Sequence, residues 1–193
     1  MNLMSPRLLT ALAVETVRQP RPTFGRLMSL NLPRDVLWQA LALTLILSTL
    51  ITELTSVFLA PAPDGGFVIS PLMLVTVQAA VPVLTIFLIH WLGRGMGGTG
   101  RLEDAILAVT WLQVVMLGLQ LVQIVALALL PPLSGIVVIA GLALFLYLLT
   151  AFIAELHGFA SMGRVFAMIL FVLVGVALGL SFVLTLIGVT VPR

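Results

Sequence analysis

Five long apolar runs, separated by short polar or Gly/Pro-rich segments, occupy almost all of the chain after Asp35. About 20 apolar residues in a helix cross the hydrocarbon core of a bilayer, and in lipid each backbone polar group must be bonded within its own helix. The pattern predicts an all-α integral membrane protein with a five-helix transmembrane bundle. Only 8% of the residues are charged, whereas a soluble domain carries about 25%.

The runs divide the chain into a basic leader, residues 1–35, and a five-span transmembrane domain, residues 36–193. The predicted spans are Val36–Ala60, Pro71–Leu92, Asp104–Leu130, Ile136–Leu156 and Arg164–Val189. The loops between them are Pro61–Ser70, Gly93–Glu103, Pro131–Gly135 and His157–Gly163, none long enough for a soluble domain. The third loop predicts a tight antiparallel hairpin.

The leader has apolar residues at near-helical spacing with arginines among them. These apolar residues are Leu8, Leu9, Leu12, Ala13 and Val17. The spacing predicts an amphipathic helix on an anionic membrane surface, and the alternative is an unstructured tail with incidental leucines. No apolar run followed by a small-residue cleavage site precedes the first span, so we expect that span to be retained as a signal anchor.

Arginine placement predicts the orientation in the membrane. Five spans put eight arginines on one side: Arg7, Arg18, Arg21, Arg26, Arg34, Arg94, Arg101 and Arg164. The opposite side has only Arg193 at the terminus and Asp64 in one loop. The positive-inside rule then places the N-terminus in the cytoplasm and the C-terminus in the periplasm, across the inner membrane.

A few polar side chains lie inside the predicted spans. Glu53 is in the first span, Gln78 in the second, and Gln113, Gln120 and Gln123 share one face of the third. Intramembrane ionisable groups mark sites by default, and a glutamine stripe can line a water path. The alternative is that these groups hydrogen-bond to neighbouring helices and hold the bundle together.

Two histidines and three carboxylates fall near the predicted cytoplasmic rim and are weak metal candidates. They are His90, Glu103, Asp104, Glu155 and His157. No pair has the close spacing of a metal motif, so the favoured interpretation is interfacial charges that pair across loops. We expect no metal, no cofactor and no catalytic residue, since nothing resembles a Ser/His/Asp triad, a P-loop or a paired-carboxylate hydrolase site.

Glycines mark two further segments. Gly93 to Gly98 matches GxGxxG formally, but a dinucleotide site needs a βαβ unit, which cannot form between two spans. We interpret these glycines as permitting a tight, solvated turn with positive φ. Gly175 and Gly179 form a GxxxG motif, which allows close helix packing within the bundle or against a second copy.

The layout resembles the bacterial branch of the Yip1 domain family. The resemblance rests on three features: the basic, proline-punctuated leader Arg18–Phe24, the Gly-rich loop with acid at the next helix start, Gly97–Ala105, and the Trp111–Gln113 segment that follows. It implies a cytoplasmic N-terminus and no known catalysis. Eukaryotic relatives bind small GTPases through the leader and shape membranes, but this leader lacks their acidic motif, so a GTPase partner is not expected.

The favoured function is that of a non-enzymatic inner-membrane protein acting as a scaffold, a partner-organising factor or a modulator of membrane shape. One alternative is a small transporter or channel that uses Glu53 and the face of Gln113, Gln120 and Gln123. Another is a membrane enzyme or metal protein that uses the His/carboxylate rim. Expected partners are the bilayer and a membrane protein or a second copy. Nucleic acid is not expected, because the arginines flank spans.

Overall fold

The structure is a computed structural model that describes residues 6–59 and 71–186. Within these residues the chain is helical and contains no strand. The helices are α1 (Pro6–Arg18), α2 (Pro20–Met28), α3 (Arg34–Phe58), α4 (Pro71–Gly95), α5 (Leu102–Leu129), α6 (Pro131–His157) and α7 (Met162–Leu186). The predicted fold class, an all-α bundle with an amphipathic N-terminal segment, is confirmed.

Helices α3 to α7 are the membrane spans. All five are long and apolar enough to cross a bilayer, so the chain is a multi-pass membrane protein. They alternate in direction, and α5 is the central helix, with its most extensive contacts to α6 and α3. We call the end formed by the starts of α3, α5 and α7 and the ends of α4 and α6 the leader end, and the opposite end the far end.

The buried core lies in the half of the bundle next to the leader end. Its side chains come from the first turns of α3 (Leu37, Leu41), the last turns of α4 (Ile86, Ile89), the first half of α5, the last turns of α6 and the first turns of α7. In the far half many side chains are exposed, such as Phe58 at 76% and Phe182 at 66%. The helices are therefore packed tightly at the leader end and splayed at the far end, where lipid or a partner covers them.

Helices α1 and α2 pack against the leader end of α5 and α6. Phe24 of α2 is fully buried and stacks on Phe152 of α6, with ring centroids 4.6 Å apart. Thr16 of α1 is also fully buried, and its Oγ1 accepts a hydrogen bond from Trp111 Nε1–H at 2.9 Å. The leader is thus part of the packed core. Its placement at a membrane surface stays a prediction.

The predicted bounds of the third loop, Pro131–Gly135, are wrong, because these residues form the start of α6. The predicted tight antiparallel hairpin is present, since α5 and α6 pack along each other. Proline fits the first turn of a helix, where its missing N–H has no acceptor to lose and its fixed φ is already helical. Leu130 alone separates α5 from α6. The other predicted span ends differ from the observed helix ends by a few residues. The following lie outside the described residues: Ala60, the loop Pro61–Ser70 with Asp64, Val189 and Arg193.

Candidate functional site: the leader end and the polar groove

Two of the three carboxylates of the predicted rim, Glu155 and Glu103, are held by arginines. Glu155 Oε2 accepts a hydrogen bond from Arg21 Nε at 3.0 Å, and the same arginine donates to the Phe159 carbonyl at 3.3 Å. Glu103 pairs with Arg34. These pairs tie α2 to the end of α6, and the start of α3 to the start of α5.

Asp104 has a different role, as the cap of a helix. Its Oδ2 accepts the backbone N–H of Arg101 at 3.3 Å, in the first turn of α5. A carboxylate in this position satisfies an amide that the helix leaves free and interacts favourably with the helix dipole. The two neighbouring carboxylates therefore hold the start of α5: Glu103 binds it to α3, and Asp104 caps it.

The structure does not gather the rim residues into a metal centre. No group of three metal-ligating side chains lies within reach of one ion among the described residues. Both ring nitrogens of His157 already have protein partners, as described below. The buried Nδ1 of His90 has no hydrogen-bond partner in the described part of the chain.

His157 joins three segments at the leader end. The Gly100 N–H donates to its Nδ1 at 3.2 Å, and its Nε2 lies 3.1 Å from the Ile89 carbonyl oxygen. Since Nδ1 accepts a hydrogen bond from a backbone N–H and Nε2 faces a carbonyl oxygen, the geometry assigns a neutral imidazole with the hydrogen on Nε2. One buried side chain, 3% exposed, thus links the end of α6 to the end of α4 and to the loop before α5.

The Gly-rich loop encloses this imidazole. A Cβ at Gly93 would lie 2.0 Å from His157 Nε2, one at Gly98 2.5 Å from Nδ1, and one at Gly100 2.8 Å from the ring. In this loop only Gly97 has a positive φ, 87°. The predicted exposed turn with positive φ is therefore present at Gly97. It is wrong for Gly93, which is buried in α4; there, as at the buried Gly100, the histidine occupies the space of a side chain.

Half of the leader-end arginines are unpaired. Among the described residues Arg7, Arg18, Arg94 and Arg164 are exposed and have no carboxylate partner. Beside them on α1, Val14 is 54% exposed although it belongs to a helix whose other face is buried. The leader end therefore presents positive charge and apolar side chains on its outer surface.

In the far half, glutamines bind to hydroxyl groups of α3. Gln120 Nε2 donates to Thr52 Oγ1 at 2.9 Å, and its Oε1 accepts from Ser48 Oγ at 3.0 Å. Gln78 Oε1 accepts from Thr49 Oγ1 at 2.6 Å, which joins α4 to α3. Two of the predicted polar residues thus connect helices.

A groove lies between α3 and α6, with α5 as its floor. We call it the polar groove. It is lined by Thr52, Thr55, Ser56, Gln120, Gln123, Ile124, Leu127, Ser134 and Val138, with a volume of about 390 Å³. A deeper section of about 320 Å³ continues along α5 to Gln113 and shares Gln120 and Gln123 with the first. The structure therefore brings all three glutamines of the α5 stripe to one groove.

Other predicted residues lie apart from this groove. Glu53 is half-buried on α3 and is not among the residues that line the groove, and its carboxylate has no partner among the described residues. Gly175 and Gly179 face open space, with no atom within 4 Å of a Cβ built on either. Their packing against a second copy stays a prediction.

The residues that complete these contacts were not predicted from the sequence. Ser48, Thr49 and Thr52 follow one another on α3 and could be found as a cluster of hydroxyl groups within an apolar run. For His157 the signal was the unusual density of glycine at 93, 98 and 100. The contacts of Phe24 and Thr16 carry no such local signal.

Comparison with known protein families matches residues 14–184 to the Yip1 domain. The match begins in α1, includes α2 and extends to the last turns of α7, so it covers the docked leader as well as the five spans. No curated protein and no solved structure matches the chain.

Proposed function

The chain belongs to the Yip1 domain family, and we propose that it is a non-enzymatic protein of the inner membrane that acts as a scaffold, organising a partner protein at its leader end. The observation that carries the proposal is the docked leader: α1 and α2 are built into the core and hold an outer surface in one orientation. A preformed surface avoids part of the ordering cost that a flexible tail incurs on binding.

The chemistry of that surface indicates the kind of partner. Arg7 and Arg18 on α1 are free of internal ion pairs among the described residues, and Val14 and Val17 lie exposed between them. Charge attracts and orients a partner, while apolar side chains and arginine stems supply buried area. An acidic, amphipathic segment of another protein matches this surface.

The proposed orientation places this surface in the cytoplasm. All eight arginines of the described chain lie at the leader end, together with five carboxylates (Glu15, Asp35, Glu103, Asp104 and Glu155). Their excess of arginine is the distribution that the positive-inside rule assigns to the cytoplasmic side.

Site-specific photo-crosslinking in intact cells tests the scaffold function. A photoactivatable amino acid at Val14 reports on the leader end, and one at Leu178 is the control, because that side chain is also exposed, at 66%, but lies in the far half of α7. The proposal predicts discrete protein adducts from Val14 and lipid or no adducts from Leu178. Adducts absent from Val14, or identical from both positions, would reject it.

A small transporter is the second candidate, and the polar groove is the observation that favours it. However, the groove lies in the far half, and the leader half of α5 and α6 is filled by buried side chains from Ala105 to Leu112 and from Leu148 to Ala154. No open path therefore joins the groove to the leader end in the described residues. Solute flux in proteoliposomes that falls on Gln123→Leu would favour transport over the scaffold.

A further inference from the structure

We infer that the polar groove binds an uncharged lipid that carries both a hydroxyl and an ester carbonyl group, as diacylglycerol does. This site is separate from the leader-end surface and does not depend on the scaffold function. Helices α3 and α6 both pack on α5 but, among the described residues, not on each other. Their separation leaves the groove open along α5.

The free hydrogen-bonding groups of the lining define the chemistry of the ligand. Gln120 has no free donor, because its amide hydrogens go to the Ser48 carbonyl and Thr52 Oγ1, and its Oε1 accepts from Ser48 Oγ. The hydroxyl hydrogens of Thr55 and Ser134 are donated to carbonyls of their own helices, at 2.7 Å in both cases. These hydroxyl oxygens therefore offer only acceptor lone pairs to a ligand.

Gln123 supplies the complementary groups. Its amide has no hydrogen-bond partner among the described residues, so an N–H₂ donor and a carbonyl acceptor are both available. A ligand carbonyl can accept from this amide, and a ligand hydroxyl can donate to the hydroxyl oxygens nearby. Among the described residues no charged side chain lines the groove, which disfavours a phosphate group there.

The depth of Gln123 matches the ester level of a lipid. It lies six residues before the end of α5 at Leu129, or roughly 9 Å along the axis at 1.5 Å per residue. The headgroup region on each side of a bilayer is about 5 to 8 Å thick. At 28 residues, α5 is about 42 Å long, which matches a bilayer with its headgroups. With α5 spanning that full thickness, the amide is placed just beneath the headgroups, where an unpaired polar group is costly and water is scarce.

The size of the groove is that of a small-molecule site. Its two sections, about 390 and 320 Å³, fall within the range of about 300 to 1,000 Å³ for such sites. They hold the polar part of a lipid, and the ends of its chains extend along the helices into the bilayer. Ile124, Leu127 and Val138 provide apolar contacts for the lipid chains.

Photolabelling of the full chain in phosphatidylcholine nanodiscs tests this inference. Two probes carry the same photoreactive chain, one on diacylglycerol and one on phosphatidylcholine, and labelled peptides are mapped by mass spectrometry. We expect the diacylglycerol probe to label α5 and α6 around Gln123 and Val138, and unlabelled diacylglycerol to compete. Gln123→Leu should lower this labelling about tenfold, the loss expected from one to two hydrogen bonds.

The control variant is Gln39→Leu, the same substitution at an exposed position of α3 near the leader end. It should leave labelling unchanged, and equal thermal unfolding of both variants and the parent chain excludes misfolding as the cause of a loss. Equal labelling by both probes would mean bulk lipid and would overturn the inference. Labelling that is insensitive to Gln123→Leu, absent from the groove, or replaced by adducts between two copies of the chain would also overturn it.

Discussion

Placing a methyl group at Gly93 should displace the His157 imidazole and loosen the leader end. The added Cβ would lie 2.0 Å from Nε2, far inside contact distance, and Gly93 lies within α4, where the backbone cannot easily move away. The most direct relief is for the ring to leave its position. The Gly100 N–H and the Nε2–H of the displaced ring then lose their partners, whereas the Ile89 carbonyl oxygen keeps its bond within α4.

The cost follows from those two stranded groups. A buried polar group left without its partner costs about 1 to 3 kcal/mol, so two of them cost about 2 to 6 kcal/mol. For a chain of this size, 1 kcal/mol shifts the unfolding midpoint by about 2 to 4 °C, and we expect Gly93→Ala to lower it by roughly 5 to 20 °C. Gly95→Ala is the control, since no atom lies within 4 Å of a Cβ there.

A double-mutant cycle gives this prediction its sharpest form. With His157→Ala in place, the space next to Gly93 is free, and alanine is favoured over glycine in a helix by about 1 kcal/mol. Gly93→Ala should therefore be neutral or slightly stabilising in that background, although it is strongly destabilising in the parent chain. Thermal unfolding in mild detergent, followed by circular dichroism, measures all four proteins. Additive effects, or a Gly93→Ala effect no larger than that of Gly95→Ala, would refute the proposed packing.

Three further predictions concern other contacts. Arg21→Glu should destabilise the docked leader by about 1 kcal/mol, because a partly exposed ion pair is lost and two carboxylates then face each other; adding Glu155→Arg should restore most of the loss in thermal unfolding. Gln120→Leu should cost about 1 to 2 kcal/mol, since hydrogen bonds between helices in lipid contribute about 0.6 kcal/mol each. In spheroplasts, a membrane-impermeant maleimide should label Leu59→Cys but label Arg18→Cys only after permeabilisation, because we place the far end in the periplasm.

The controls use features of the chain itself. Because the chain has no cysteine, all maleimide labelling of a variant comes from the introduced thiol. Gln39→Leu should leave stability nearly unchanged and is the reference for Gln120→Leu. A swapped Arg21/Glu155 pair that is no more stable than Arg21→Glu alone would show that the ion pair does not hold the leader. Labelling of Arg18→Cys in intact spheroplasts would contradict the proposed orientation and place the leader end in the periplasm.

The spans could be predicted from sequence because the bilayer imposes a length and a composition on each one. The start of α6 could not, because Pro131 and Pro132 suit a turn and the first turn of a helix equally well, and only the packing of α5 against α6 decides between them. The all-helical class and the Yip1 family followed from the same long-range pattern, together with the Gly-rich loop.

The sites were only partly predictable. Helical periodicity places Gln113, Gln120 and Gln123 on one face, but whether that face meets hydroxyl groups, lipid or water depends on which helix lies opposite. The His157 contact joins residues 57 positions apart in the case of Gly100. Glycine frequency marked the loop as special without revealing that a histidine fills it, since contacts between distant residues are set by the fold.

The proposed scaffold function depends most on α1 and α2 being held against α5 and α6. Hydrogen–deuterium exchange of the full chain in nanodiscs, with mass spectrometry of peptides, measures this directly. We predict that amides from Leu12 to Met28 exchange as slowly as those at the leader end of α6, because they share one core. Exchange of this segment at the rate of an unstructured peptide would contradict the docked leader, and the scaffold function with it.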